Sequence, residues 1–192
     1  MKRILLSTII FLGAYGFAQA QISGGIKGGL NFANQEYSSD GFNISPDART
    51  SFHLGAFAVI NFSDKLGLQP ELLYSGKGSE FNVSGSSFTQ KFTYLDVPIL
   101  LRYSITEMIS LHAGPQISLL MSAEDEDGDD ISDSVSGSDL GLSFGGQVDL
   151  PMGLVAGVRY NLGLSNIDDT NSGGDVKNKV FQIYVGYKLF GN

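Results

Sequence analysis

The chain has 192 residues, with 12 Lys plus Arg against 20 Asp plus Glu, which gives a formal net charge of −8. This length suits one domain, and the acidic balance argues against a general nucleic-acid-binding protein, which would be basic. The absence of cysteine excludes a disulfide framework and a thiolate metal site.

The first 20 residues have the organisation of a secretory signal peptide. A basic pair opens the segment, an apolar run follows over residues 4–17, and Ala18-Gln19-Ala20 supplies a signal-peptidase pattern. We therefore predict a cleaved signal over residues 1–20 and a mature domain over residues 21–192. No later run is long and apolar enough for a spanning helix. If the mature chain lies in a membrane, it must therefore form a closed barrel.

The mature chain alternates between apolar and polar residues with a period of two, which predicts strands whose two faces meet different surroundings. In the clearest example, Leu140, Leu142 and Phe144 share one face while Asp139 and Ser143 share the other. A face of aliphatic and aromatic residues opposite a face of polar residues suits a wall between lipid and a polar lumen. Eight such segments follow one another, at residues 23–32, 51–62, 66–77, 89–103, 109–121, 139–150, 153–163 and 179–190.

The connections between these segments alternate between long and short. Short turns on one side and long loops on the other are typical of outer-membrane barrels. The fold class is therefore predicted to be all-β, an eight-stranded antiparallel up-and-down transmembrane β-barrel with both termini periplasmic. Pro70, Pro98 and Pro115 fall inside strands, where we expect bulges or a frayed ladder. The four predicted long extracellular loops are residues 33–50, 78–88, 122–138 and 165–178.

Charged residues on the inward face are the candidate site. An eight-stranded barrel is just wide enough for side chains to fill its interior, and buried opposite charges should pair. This argument favours a plugged lumen, with a selective ion path as the alternative. By the alternation of their strands, Lys77 and Asp149 also point into the lumen. The predicted lumen charge network consists of Lys27, Glu71, Asp96, Arg102, Arg159 and Lys188.

The sequence offers little for catalysis or metal binding. His53 and His112 both have inward parity, but we expect them near opposite ends of the barrel, and no serine lies in a recognisable nucleophile motif. We predict no catalytic residue and no cofactor. In the acidic run at residues 124–130, Asp125, Asp127 and Asp129 are candidate metal ligands. The run lacks the EF-hand spacing, so a solvated loop is the favoured interpretation.

Several motifs carry a family resemblance. They are Gly67-Leu68-Gln69-Pro70-Glu71-Leu72-Leu73-Tyr74, Tyr94-Leu95-Asp96-Val97-Pro98-Ile99-Leu100-Leu101-Arg102-Tyr103, Ala113-Gly114-Pro115 and Val185-Gly186-Tyr187-Lys188. With them, the mature chain resembles the outer-membrane β-barrel domain of "porin family" or PorT-type small barrel proteins. The resemblance implies the outer membrane of a Gram-negative bacterium.

The functional prediction is a small non-enzymatic barrel with a structural role, or a binding role through its long loops. The alternatives are a narrow channel or porin, a secretion accessory, as PorT-type membership would imply, and a soluble lipocalin-like barrel with inverted faces. The expected partners are outer-membrane lipid and lipopolysaccharide, with an extracellular or periplasmic protein as a further candidate and no nucleic acid. A closed barrel leaves no strand edge that forces pairing, so a monomer is expected.

Overall fold

The computed structural model describes residues 21–39, 42–44, 47–83, 86–168 and 175–191. The predicted signal peptide lies outside these residues. Two three-residue 3-10 helices, Ser132–Ser134 and Pro151–Gly153, interrupt a chain that is otherwise mostly sheet. The strands are β1 (Gln21–Ser39), β2 (Phe42–Ile44), β3 (Asp47–Asn61), β4 (Leu66–Val83), β5 (Ser86–Ser104), β6 (Ile109–Glu124), β7 (Ser138–Asp149), β8 (Leu154–Gly163) and β9 (Asp175–Phe190).

The sheet closes on itself. Its strands pair in the order β2-β1-β3-β4-β5-β6-β7-β8-β9, every pairing is antiparallel, and β1 also pairs with β9. The closing ladder is long and runs from Gly24 opposite Phe190 to Ser38 opposite Asp175. The short β2 pairs only with the end of β1, at Tyr37–Ser39, and adds no strand to the closed ring. The predicted eight-stranded antiparallel up-and-down barrel is therefore confirmed.

The predicted alternation decides which side chains face outward. Leu140, Leu142 and Phe144 are 50%, 41% and 45% exposed, whereas Asp139 and Ser143 are 3% and 0% exposed. The same arrangement holds around the barrel: aliphatic residues cover the outside and polar residues fill the inside, which is the reverse of a soluble protein. An exposed apolar belt of this extent is stable only against lipid. The soluble lipocalin-like alternative, which needs apolar faces inward, is therefore excluded.

Three short connections form one end of the barrel, which we name the turn end. They lie at residues 62–65, 105–108 and 150–153, as the sequence predicts. In two of them a hydroxyl oxygen closes the turn: Ser63 Oγ accepts from the Leu66 N–H at 3.1 Å, and Thr106 Oγ1 accepts from the Ile109 N–H at 3.0 Å. The third turn places Met152 at a φ of 68°. The hydroxyl bonds fix the register of the first two hairpins.

The opposite end, which we name the mouth, differs from the prediction. The first two predicted loops, 33–50 and 78–88, are largely strand, because β1 continues to Ser39 and β4 continues to Val83. Outside the lipid belt the outward face of a strand meets water and is polar, as at Asn34 and Glu36, while the inward Gln35 stays buried; apolar alternation therefore disappears although backbone pairing continues. The sequence pattern therefore predicts loops at these extensions.

Pro70 and Pro98 border or lie in a gap in the β4–β5 pairing, whereas Pro115 stays paired with Leu142 on β7. On the described β4–β5 ladder, pairing stops between the Pro70 and Ile99 pair and the Leu73 and Asp96 pair. The register is the same on both sides of this gap. The predicted frayed ladder is confirmed there, but no bulge forms at Pro70. Faces keep their parity through the gap.

Among the described residues, no helix is long and apolar enough to cross a membrane.

Candidate functional site in the barrel lumen

A carboxylate with two cationic partners occupies the centre of the lumen. Glu71 on β4 accepts from both terminal nitrogens of the Arg159 guanidinium, at 2.7 and 2.8 Å, and its Oε2 lies 2.6 Å from Lys27 Nζ. The three side chains come from β1, β4 and β8, so their contacts span the barrel. All three residues are at most 4% exposed. A paired arrangement of this kind offsets the desolvation of buried charge.

Tyr184 on β9 supports both cations of this central cluster. Lys27 Nζ lies 4.1 Å from the centre of its ring, and the Arg159 guanidinium carbon lies 5.5 Å away. The phenol donates to Gln147 Oε1 at 3.2 Å. An aromatic face attracts a cation electrostatically, more strongly where water is excluded. Tyr184 therefore supplements a single carboxylate that serves two positive charges.

Both histidines border the central cluster. His112 Nε2 accepts from Arg159 Nε at 3.3 Å, and the His53 ring packs edge-on against Tyr184 at 6.3 Å. The expectation that they lie near opposite ends of the barrel is therefore wrong. Strands in a barrel are tilted and staggered. The number of residues between a histidine and the nearest turn therefore does not give its position along the barrel axis. Within the part of the chain that the structure describes, neither histidine hydrogen-bonds a serine or threonine hydroxyl.

A second cluster lies towards the turn end. Asp149 on β7 pairs with Arg102 and lies 3.5 Å from Lys188 Nζ. Arg102 also donates to Gln69 Oε1 at 3.4 Å, and Gln69 Nε2 donates to Glu71 Oε1 at 2.8 Å. These bonds join the second cluster to the central one, so polar contacts continue across two levels of the lumen.

A third cluster lies towards the mouth. Lys77 Nζ is 3.0 Å from Asp96 Oδ1, donates to Ser118 Oγ at 2.8 Å, and lies 4.4 Å from the centre of the Tyr94 ring. Asp96 and Tyr94 are both 0% exposed. The Tyr94 ring thus covers the lysine on the side that leads to the mouth.

The six predicted network residues are therefore distributed over three clusters. Lys27, Glu71 and Arg159 meet directly, Arg102 and Lys188 meet through Asp149, and Asp96 pairs with Lys77. The period-two alternation of each strand is the signal that places all eight charged residues inside. Which of them pair depends on stagger between strands, which parity does not contain.

The amino-acid sequence of this barrel matches a family model described as "Outer membrane protein beta-barrel domain" over residues 17–169. The chain belongs to the outer membrane protein beta-barrel domain family. The resemblance stated from the strand motifs is thereby confirmed at the level of this family. No curated protein sequence is similar enough to this chain to count as a relative.

Solved structures support the same outer-membrane barrel fold. Ail, the attachment invasion locus protein of Yersinia pestis in complex with the heparin analogue sucrose octasulfate, superposes with a TM-score of 0.51 at 20% identity, covering 88% of this chain and 99% of that chain. Neisserial surface protein A superposes with a TM-score of 0.50 at 16% identity, covering 85% of this chain and 97% of that chain. At these identities the likeness concerns the fold.

The mouth of this outer-membrane barrel holds an apolar cluster that sequence reasoning missed. Residues 125–137, named here the cap segment, connect β6 to β7 and place Val135 against Phe92, Tyr94 and Ile167. Ile131 packs on the same cluster. The available signal was the pair of isolated aliphatic residues, Ile131 and Val135, inside an otherwise polar stretch.

The acidic run makes its own turn. Asp125 Oδ1 accepts from the backbone N–H groups of Asp127 and Asp129, at 3.1 and 2.9 Å. Hydrogen bonds from Ser132 lower the pKa of the exposed Asp130 carboxyl. Across the described residues, no group of three or more His, Asp or Glu side chains is arranged to hold a metal ion. The Asp125 carboxylate thus serves as a turn acceptor.

Inward-facing glycines make room for this polar filling, and Gly157 is the clearest case. A Cβ built there would lie 2.5 Å from both the Tyr184 hydroxyl and its ring carbon Cζ. We expect Gly157→Ala to displace Tyr184 from its cations and to lower the free energy of unfolding by about 1–3 kcal/mol. Urea titration of the barrel in lipid vesicles, followed by tyrosine fluorescence, measures the change.

Gly146→Ala is the matched control for Gly157→Ala. Gly146 faces outward on the adjacent strand, and its added Cβ would meet its nearest neighbour, Leu111 Cδ2, at an ordinary 3.7 Å. The control should stay within about 0.5 kcal/mol of the parent. Equal effects of the two alanines would show that lumen space is not what Gly157 provides.

Proposed function

We propose that this protein is a non-conducting, non-enzymatic outer-membrane barrel whose lumen is plugged by its ion pairs and whose work is binding at its mouth. The observation that carries the proposal is the Lys27–Glu71–Arg159 cluster, in which three buried side chains from three strands meet across the lumen. The clusters above and below it add further obstruction. A rigid barrel with a filled interior leaves the connections at one end to vary chemically.

We also propose the orientation of the barrel and its export. The three short connections would face the periplasm, as in barrels of this type. Both ends of the barrel sequence, at Gln21 and Phe190, would then be periplasmic, and the mouth would be extracellular. This orientation fits removal of residues 1–20 by signal peptidase. The outward face would contact lipid and lipopolysaccharide, and the protein would be a monomer.

Planar-bilayer recording tests the plug. The purified barrel should give no discrete conductance steps, because the space at the centre is occupied by paired charges. A variant with Lys27, Glu71 and Arg159 all replaced by serine serves as the comparison, since it removes the central obstruction. We expect steps in that variant alone. Reproducible steps in the parent protein would mean that it is the narrow channel of the alternative hypothesis.

The heparin analogue bound to Ail is not carried over to this chain. The protein is acidic overall, at −8, and residues 124–130 place an acidic run beside the mouth. A sulfated polyanion would be repelled there. The charge instead favours neutral or cationic ligands. A secretion-accessory role, which PorT-type membership would imply, is tested separately: unchanged secretion after gene deletion would remove it.

A further inference from the structure

A cavity of about 160 Å³ lies beneath the cap segment at the mouth. Its apolar wall combines Phe92 from β5, Ile131 and Val135 from the cap segment, Ile167 from the β8–β9 connection and Val176 from β9. Four separate parts of the chain thus converge on one space. The wall residues Phe92 and Ile167 are 3% and 2% exposed, so packed side chains close the base of the cavity.

The cavity is held by hydrogen bonds between its walls. The Ile131 N–H donates to the Ala123 carbonyl at 2.9 Å, and the Ser132 hydroxyl accepts from the Ala123 N–H at 3.1 Å. On the other side, the Ser136 N–H donates to the Ile167 carbonyl at 2.8 Å. The cap segment is therefore tied to the end of β6 and to the β8–β9 connection. A preformed cavity of this kind avoids the ordering cost of binding.

The polar part of the lining faces the apolar wall. Gln35 and Tyr37 from β1, Gln90 from β5 and Asp168 line this side. The Tyr37 hydroxyl donates to Gln35 Oε1 at 2.7 Å and its oxygen lies 3.4 Å from Gln90 Oε1, so a row of polar groups borders the space. An apolar body with a few convergent polar groups is the usual composition of a small-molecule site.

The charge of the lining is negative. Asp168 is the one formally charged residue among the described lining residues. Burial raises the pKa of Tyr37, and the negative charge of Asp168 adds to that rise. Of the cations near the mouth, Lys179 lies 2.7 Å from Glu36, Lys177 lies 4.0 Å from Asp175, and Arg49 donates to the Lys77 carbonyl oxygen at 2.6 Å; none of the three is among the described lining residues. Asp168 is therefore the lining group towards which a cationic end of a ligand would point.

The volume limits the size of the ligand. Pockets for drug-sized ligands occupy about 300–1,000 Å³, whereas an apolar cavity of about 150 Å³ holds a single benzene ring. From size, lining and charge together, we propose that the mouth cavity binds a small aromatic amine, with its ring against Phe92, Val135 and Ile167 and its ammonium towards Asp168. This inference rests on the proposed binding role of the mouth and names its ligand class.

Phenethylamine is the probe for this site, because it joins one benzene ring to an ammonium through a short arm. The barrel is placed in lipid nanodiscs with isotope-labelled isoleucine and valine methyl groups, and empty nanodiscs correct for partition into lipid. We expect saturable shifts of the Ile131 and Ile167 methyl signals. Phenylacetate, which has the same ring and an anionic end, should bind at least about tenfold more weakly.

Three variants locate the site. Val135→Phe fills the cavity and should weaken phenethylamine binding at least about tenfold. Asp168→Asn keeps the volume and should weaken phenethylamine about tenfold while leaving the uncharged 2-phenylethanol unaffected. Asp133→Asn is the matched control, because this exposed carboxylate lies on the cap segment outside the cavity lining. It should bind phenethylamine as the parent does.

The proposal is overturned if phenethylamine gives no saturable shift at Ile131 and Ile167, if Val135→Phe binds it as tightly as the parent, or if phenylacetate binds equally well. Heat-resistant migration of each variant on gels verifies that the barrel has folded. The failure of this inference is distinguishable from failure of the plugged-barrel proposal, because conductance tests the Lys27–Glu71–Arg159 cluster and methyl shifts test the mouth.

Discussion

Glu71→Gln is expected to lower the free energy of unfolding of the barrel by about 3–5 kcal/mol, the cost of breaking a buried ion pair from one side. The amide keeps the shape of the side chain but leaves Lys27 and Arg159 in the lumen without their shared carboxylate. Lys27 is then exposed to the unscreened charge of Arg159. Urea unfolding in lipid vesicles gives the value from the shift of the midpoint at constant slope.

Glu36→Gln is the matched control for this substitution. Glu36 also pairs with a lysine, at 2.7 Å from Lys179, but both side chains are about 30% exposed. Solvent screens such a pair, so its loss should cost less than about 1 kcal/mol. A Glu71→Gln variant as stable as the control would mean that the central charges are hydrated and that the lumen is not plugged.

A second substitution separates pairing from packing. In the Glu71→Gln background, Lys27→Met removes one of the two stranded cations while retaining an unbranched side chain. We expect the double variant to recover stability relative to Glu71→Gln alone, because the remaining positive charge no longer has a like-charged neighbour. In the parent background, the same Lys27→Met change should destabilise. Opposite signs of the stability change in the two backgrounds would identify the interaction between Lys27 and Glu71 as electrostatic.

The fold of this protein follows from its sequence because the lipid imposes a strict alternation. Each strand that crosses the belt must turn apolar residues outward, and Leu140, Leu142 and Phe144 do so without interruption. The short turns at residues 62–65 and 105–108 carry their own hydroxyl acceptors and are equally local. These features need no knowledge of which strands are neighbours, so sequence patterns capture them.

The partners inside the lumen could not be predicted in the same way. Parity places Lys77 and Asp96 on the inward face but does not place them together, because their contact depends on the stagger between β4 and β5. His53 and His112 illustrate the same limit: distances counted from the turns separated them, whereas both lie beside the central cluster. Shear is a property of the whole closed sheet.

The mouth was misjudged for a different reason. Polar composition predicted four loops, yet β1 and β4 extend into two of them, and the cap segment packs Val135 against the apolar cluster at the mouth. Each of these outcomes depends on contacts between segments distant in the chain. The mouth cavity, made from several connections, is therefore the part of the molecule least visible in the sequence.

Leu142→Arg tests the lipid-facing side of the same wall. Leu142 pairs with Pro115, the central outward position of the β6 stretch from Ile109 to Met121, so it lies near the middle of the apolar belt. An arginine there must carry its charge into hydrocarbon, which costs about 2–4 kcal/mol in transmembrane barrels. We expect that loss in the free energy of unfolding, measured by urea titration in lipid vesicles.

Ile105→Arg is the matched control for Leu142→Arg. Ile105 is 51% exposed, similar to Leu142 at 41%, but it lies in a short connection at the turn end. Near the interface an arginine costs only about 0–1 kcal/mol, because its guanidinium reaches water and headgroups. Two residues of similar exposure should thus respond differently because they lie at different depths in the membrane. Equal responses would place Leu142 in water and would contradict a lipid belt around β7.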